Sequence, residues 1–203
     1  MKIDYEGDTK IMSLKIGIII ASVREGRNGK VVADWVLENG QKRNDKDVTY
    51  ELVDLKSFDL PLLGATPTES QGIALKNWSE TMASYDGYIL VTPEYNHVVP
   101  GALVNAFNFL NAEVNNKALA FVGYGFLGAA RGIVSFRAHL AYQQVAMTQQ
   151  QINISFVSDY KNAMTPDQEF APGAWHTPEL EALFTQLLGW SKALKALRNG
   201  EIK

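Results

Sequence analysis

Along this chain, segments where apolar residues crowd together alternate with segments where they recur every three or four positions. Residues 14–22 (LKIGIIIAS), 88–92 (YILVT) and 117–122 (KALAFV) are near-continuous apolar runs. That is the pattern of strands buried on both faces of a parallel sheet. Residues 49–54 (TYELVD) alternate, and residues 151–157 supply a fifth strand. Helical spacing fills the intervals. Val31, Val32, Trp35 and Val36 share a face over 30–39, where Gly40 is expected to close the helix. Leu75, Trp78 and Met82 share one over 73–85, and further helices are predicted at 102–110, 129–144 and 178–198, the last with Pro178 near its first turn. Residues 55–71, rich in Pro and Gly, read as a long loop of the kind that forms a pocket wall.

Alternating strands and helices predict an α/β domain, a doubly wound parallel sheet with helices on both faces. One such domain spans 14–203. Residues 1–13 mix charges with Gly7 and have no clear period, so they read as an N-terminal arm. If the strand order is 2-1-3-4-5, the flavodoxin-like order, the loops after strands one, three and four fall on one edge, where open α/β sheets bind ligands.

Each of those three loops carries chemistry. The first holds Ser22, Arg24, Arg27 and Asn28 before a helix start, with Gly26 and Gly29 permitting close backbone approach, a combination suited to a phosphate. The second, Pro93-Glu94-Tyr95-Asn96-His97, ends a buried strand and runs through Pro100-Gly101 into a helix. The third has Gly123, Gly125 and Gly128 in a G-x-G-x-x-G spacing. It follows the fourth strand and lacks an acidic residue ~20 positions on, so it does not read as a dinucleotide fingerprint. Its glycines serve a tight turn or a close pass against a flat ligand. A phosphate loop flanked by two loops that border a planar ring points to flavin mononucleotide (FMN).

Composition removes several other classes. The chain has no cysteine and three scattered histidines, so neither a thiolate nucleophile nor a zinc cluster is expected. With 19 basic and 22 acidic residues, a formal charge of -3 offers no field for nucleic acid. The lack of a long apolar run or a signal core points to a cytoplasmic protein without a membrane span.

The three loops together resemble the flavodoxin-like NADPH-dependent FMN reductases, a family that includes quinone, azo-dye and chromate reductases. Residues 19–29 are similar to that family's G-S-x-R phosphate loop. Pro93 to His97 with Pro100, Gly101 and Asn105 resembles P-E-Y-N-x-x-x-P-G-x-x-K-N-A, and residues 123–131 resemble S-Y-G-G-x-G-G-A-R. The resemblance implies that Ser22, Arg24, Arg27 and Asn28 hold the FMN phosphate. It implies that Pro93, Glu94, Tyr95 and Asn96 line the isoalloxazine, largely through backbone groups, and that Tyr124, Gly125 and Phe126 lie along the ring or ribityl side. It further implies NADPH or NADH as co-substrate, a small electron acceptor, and a homodimer or tetramer. Ala21, Val98, Val104, Gly123 and Phe126 depart from the family pattern. Phe126 in place of glycine bears on which acceptors fit.

The implied reaction passes a hydride from NAD(P)H through FMN to a quinone, azo compound, metal oxyanion or free flavin in a ping-pong cycle. It needs no protein nucleophile or metal. Glu94 reads either as a general base or as an acceptor of backbone hydrogen bonds, and Arg131 as a partner of an adjacent subunit or of a nucleotide phosphate. A flavodoxin-like electron carrier or a flavin-dependent regulator shares the fold. A phospho-acceptor receiver domain does so too, but it needs an aspartate where this chain has Thr92-Pro93.

Overall fold

The computed structural model describes residues 13–202. The expected arm therefore lies outside the described residues, apart from Ser13. Five parallel strands, β1 (Leu14–Ile20), β2 (Val48–Asp54), β3 (Gly87–Pro93), β4 (Ala118–Gly125) and β5 (Ala146–Ser155), form a sheet in the order β2-β1-β3-β4-β5. The five main helices are α1 (Gly29–Lys42), α2 (Glu69–Ala83), α3 (Gly101–Asn108), α4 (Ala130–Tyr142) and α5 (His176–Arg198). Two short antiparallel strands, β6 (Tyr160–Lys161) and β7 (Glu169–Phe170), lie between β5 and α5.

Every residue of β3 is buried, which explains the unbroken apolar run at its centre. On one face of the sheet, Trp78 and Met82 of α2, Leu103 and Phe107 of α3, and Ile133, Phe136 and Leu140 of α4 form one core. On the other, Val32 and Val36 of α1 pack with Leu180, Leu183, Phe184 and Leu187 of α5. Val31 is exposed, so the buried stripe of α1 is narrower than its sequence implies.

Several boundaries differ from the sequence expectation. Helix α1 runs through Gly40, which lies against the Phe184 and Tyr50 rings, 3.3 Å from where a Cβ would stand. Gly40 is thus a packing glycine inside the helix, not its terminator. Helix α2 begins at Glu69 because Thr68 and Gln71 form a reciprocal capping box; the loop before it shortens to residues 58–68 after a 3-10 turn at Leu55–Ser57. Strand β5 starts at Ala146, five residues early, although Thr148 to Gln151 are polar. It is an edge strand with a register shift opposite β4, and Gln186 of α5 accepts the Gln149 and Gln150 N–H groups there at 3.1 and 3.2 Å.

Candidate functional site

The loops after β1, β3 and β4 share the carboxyl edge of the sheet, flanking the reversal of strand order between β1 and β3. Ser22 is fully buried at the start of the first loop, and its Oγ lies 2.8 Å from the Tyr95 hydroxyl of the second. The first loop then turns through Gly26 at φ +64° and enters α1, whose start carries neither a side-chain cap nor an acidic residue in its first turn. That leaves the positive end of the helix dipole uncompensated. The guanidinium of Arg24 pairs with no described residue, whereas Arg27 donates to the Ser22 carbonyl at 2.8 Å and forms an ion pair with Asp54 at the end of β2. The Asn28 Oδ1 accepts from Gln168 Nε2 at 2.7 Å.

Tyr124 joins this loop from β4. It is 3 % exposed, and its hydroxyl finds no partner among the described residues. A Cβ on Gly29 would stand 2.9 Å from that oxygen, so glycine at the helix start is what lets the phenol reach it. Burial pushes the Tyr124 hydroxyl up in pKa, keeping it a neutral donor. A buried donor without an acceptor is costly in a finished structure. Here it stands beside a serine hydroxyl and an uncapped helix start, and a phosphate oxygen would satisfy it.

The second loop takes its shape from local contacts. Tyr95 N donates to the Val98 carbonyl at 2.8 Å and Val98 N to the Tyr95 carbonyl at 3.1 Å, while Asn96 and His97 between them have φ of +51° and +69°. Two successive positive φ values define a tight hairpin turn of the primed kind. The Glu94 carboxylate accepts from the N–H groups of Arg131 and Gly132, both at 3.0 Å, and pairs with the Arg131 guanidinium. Burial opposes its ionisation, but those donors outweigh it and hold the carboxyl below its ordinary value. Glu94 thus anchors the start of α4, and Arg131 is its partner.

The third loop folds back on its own strand. A Cβ on Gly123 would lie 2.1 Å from the Gly128 carbonyl, and one on Gly128 would lie 2.5 Å from the Asn153 Cβ. Asn153 Nδ2 donates to the Gly128 carbonyl at 2.7 Å. The G-x-G-x-x-G spacing is therefore a packing device. It presents Phe126 and Leu127 to solvent, 60 % and 58 % exposed, with Phe126 edge-on to Phe156 at 5.7 Å.

Beside these loops, Val23, Leu55, Phe58, Leu60, Ala102 and Asn105 line a cavity of about 290 Å³. Asn105 of α3 fixes its outer wall, donating to the Pro61 carbonyl at 2.8 Å and accepting from Leu63 N at 2.9 Å. A cavity of about 600 Å³ lined by Lys15, Asp86 and Lys195 lies at the opposite edge of the sheet and takes no part in the site. Sequence reading missed Asp54, Gln168 and the Ser22–Tyr95 pair. It also missed the support of β6 and β7, where buried Asp159 accepts from the N–H groups of Ser155 and Gly173 at 2.8 and 3.0 Å and meets His176 at 3.1 Å. None of these lies in a spacing pattern. Only the position of Asp54 at a strand end carried a signal.

A family model described as NADPH-dependent FMN reductase matches residues 14–159. Among curated proteins, an NAD(P)H-dependent FMN reductase of Nectria sp is 34 % identical over 125 residues, 58 % of this chain and 62 % of its own length. One of Schizosaccharomyces pombe is 37 % identical over 117 residues, 55 % and 58 % respectively. The matches thus span about three-fifths of these relatives. The fold is similar to that of FerB, a flavoenzyme NAD(P)H:(acceptor) oxidoreductase from Paracoccus denitrificans, with a TM-score of 0.67 at 16 % identity over 89 % of this chain and 98 % of that one.

Proposed function

Because the chain belongs to the NADPH-dependent FMN reductase family, we propose that it is an oxidoreductase that binds FMN at the carboxyl edge of its sheet. It would pass reducing equivalents from NAD(P)H to a small acceptor. The single observation that carries this reading is the buried Tyr124 hydroxyl, unpartnered among the described residues, facing the cap-free start of α1 beside Ser22. FMN held there would supply the hydride-transfer chemistry between nicotinamide and acceptor, which a ping-pong cycle would separate in time.

The chain's own residues bind and orient. Arg24, the Asn28 amide, the Ser22 and Tyr124 hydroxyls and the first N–H groups of α1 would hold the phosphate. Asn28 Oδ1 is occupied by Gln168, so its Nδ2 donor is the end left for an anion. The loop from Pro93 to Asn96 would hold the polar edge of the ring through backbone groups, its conformation fixed by the Tyr95–Val98 pair and by Glu94 on α4. N–H donors fixed in place in this way favour negative charge developing on a bound ring without reorganising. Gly125 and the exposed Phe126 would border the ring where a planar co-substrate approaches. The acceptor classes supported by the resemblance are quinones, azo compounds, metal oxyanions and free flavins, and the protomers would pair as a homodimer or tetramer in the cytoplasm.

Purified protein is expected to be yellow and to bleach under NADPH. A colourless protein that takes up no added FMN would sink the reading. In the doubly substituted Arg24→Ala, Asn28→Ala protein, FMN should bind about 100-fold more weakly while riboflavin affinity is unchanged, because two charge-assisted bonds to phosphate are lost. Equilibrium titration with both flavins measures this.

A further inference from the structure

The resemblance assigns both arginines of the first loop to phosphate, yet their surroundings differ. The Arg24 guanidinium pairs with no described residue. Arg27 is drawn away from the helix start: Nη1 donates to the Ser22 carbonyl at 2.8 Å, Nη2 engages Asp54, and the side chain is only 13 % exposed. The other Asp54 oxygen accepts from Lys56 N at 3.0 Å, so the carboxylate is fixed in place. A second ion pair, Glu25 with Lys56, ties the same loop to the same strand end.

We propose that Arg27 is a positioning residue that shapes the phosphate loop by joining Asp54 to the Ser22 carbonyl, and that it makes no contact with the phosphate. This rests on the FMN reading above. The mechanism follows from peptide geometry. In a planar trans peptide the carbonyl and the following N–H point in opposite directions. With the Ser22 carbonyl held by Arg27, the Val23 N–H faces the other way, as a fixed donor. Turning Arg27 toward a phosphate would leave the Ser22 carbonyl and Asp54 short of a donor in partly buried surroundings, a cost comparable to what a new ion pair returns. Arg27 and Asp54 also neutralise one another, so among the described residues Arg24 is the uncompensated charge of the loop.

The test compares wild type with Asp54→Asn, Arg27→Lys and the double variant, each titrated as apoprotein with FMN and with riboflavin, and each checked for an unchanged unfolding midpoint. Asp54→Asn is isosteric, and lysine keeps the charge but cannot span both acceptors. Each single variant should weaken FMN about tenfold, the double variant should be no worse than either, and riboflavin should bind unchanged. If Arg27 instead binds phosphate directly, Asp54→Asn frees it and FMN binds as tightly as to wild type or more tightly; that result overturns the proposal. Wild-type FMN affinity in Arg27→Lys overturns it as well. A wild type that takes up no FMN overturns the parent reading instead. Amide exchange then judges the clasp by itself: faster exchange at residues 23–28 in Asp54→Asn supports it, and unchanged exchange rejects it.

Discussion

Glu94, on the loop after β3, has its charge already committed to two N–H groups and the guanidinium of Arg131 in α4. Removing the charge by Glu94→Gln should cost about 1 kcal/mol, as for a lost helix cap, read by denaturant unfolding at pH 7. The folded carboxyl is depressed below its ordinary value of 4.5, so the stabilisation is present above that pH and fades as pH falls through the lower folded value. The gap between variant and wild type should therefore close on acidification. Lys117 is the opposite case. Its Nζ donates to the Met82 and Ala83 carbonyls at 3.1 and 2.8 Å, and burial, followed by Arg198 nearby, pushes its pKa down from 10.5 to about 8. Between those values the unfolded chain binds more protons, so stability rises with pH. In Lys117→Met this contribution, on the order of 2 kcal/mol from pH 8 to 10, should be missing, read as the difference between the variant's and the wild type's pH-dependent unfolding curves, which cancels the opposing contribution of the buried tyrosines.

At the scale of elements, β4 and the loop that follows it act as one piece. Gly123→Ala would drive a methyl into the Gly128 carbonyl and lift the loop that carries Phe126. The expected loss is about 3 kcal/mol, an overpacking penalty without a flexible neighbour to absorb it, visible in thermal unfolding. Elements like β1, β3 and β4 were legible because burial on both faces leaves an unbroken apolar signature, and their order placed three loops on one edge. The first half of β5 was hidden because an edge strand tolerates Thr148 to Gln151, where Gln186 of a distant helix serves the Gln149 and Gln150 amides. The short pair β6 and β7 was hidden for a related reason: its anchor, Asp159, works through single polar contacts that have no period.

For the whole molecule, the loops that form the candidate site were readable one at a time, but their mutual support was not. Arg27 meets Asp54, and Asn28 meets Gln168 across 140 positions of sequence, through side chains whose neighbours no local pattern announces. Arg27 accordingly looked like one more cation of the phosphate loop. The outer surface carries a further expectation. Val134 and Tyr142 of α4 are 67 % and 89 % exposed, and Val98, on the loop packed against that helix, is 49 % exposed. Exposed apolar residues on one helix and on the loop beside it favour self-association. Light scattering after size exclusion should give at least twice the 22.5 kDa of one chain, and Val134→Glu with Tyr142→Glu should shift it toward the monomer.

The hydrogen bond between Ser22 and Tyr95 has a consequence of its own. It joins the loop suited to a phosphate to the loop suited to a ring, 73 positions apart in sequence, and so ties the two ends of the site together. On the FMN reading proposed above, the site would act as a gauge with fixed jaws: a ligand would be measured by the span between its anionic end and its flat end, and one with a shorter or longer spacer would engage a single jaw.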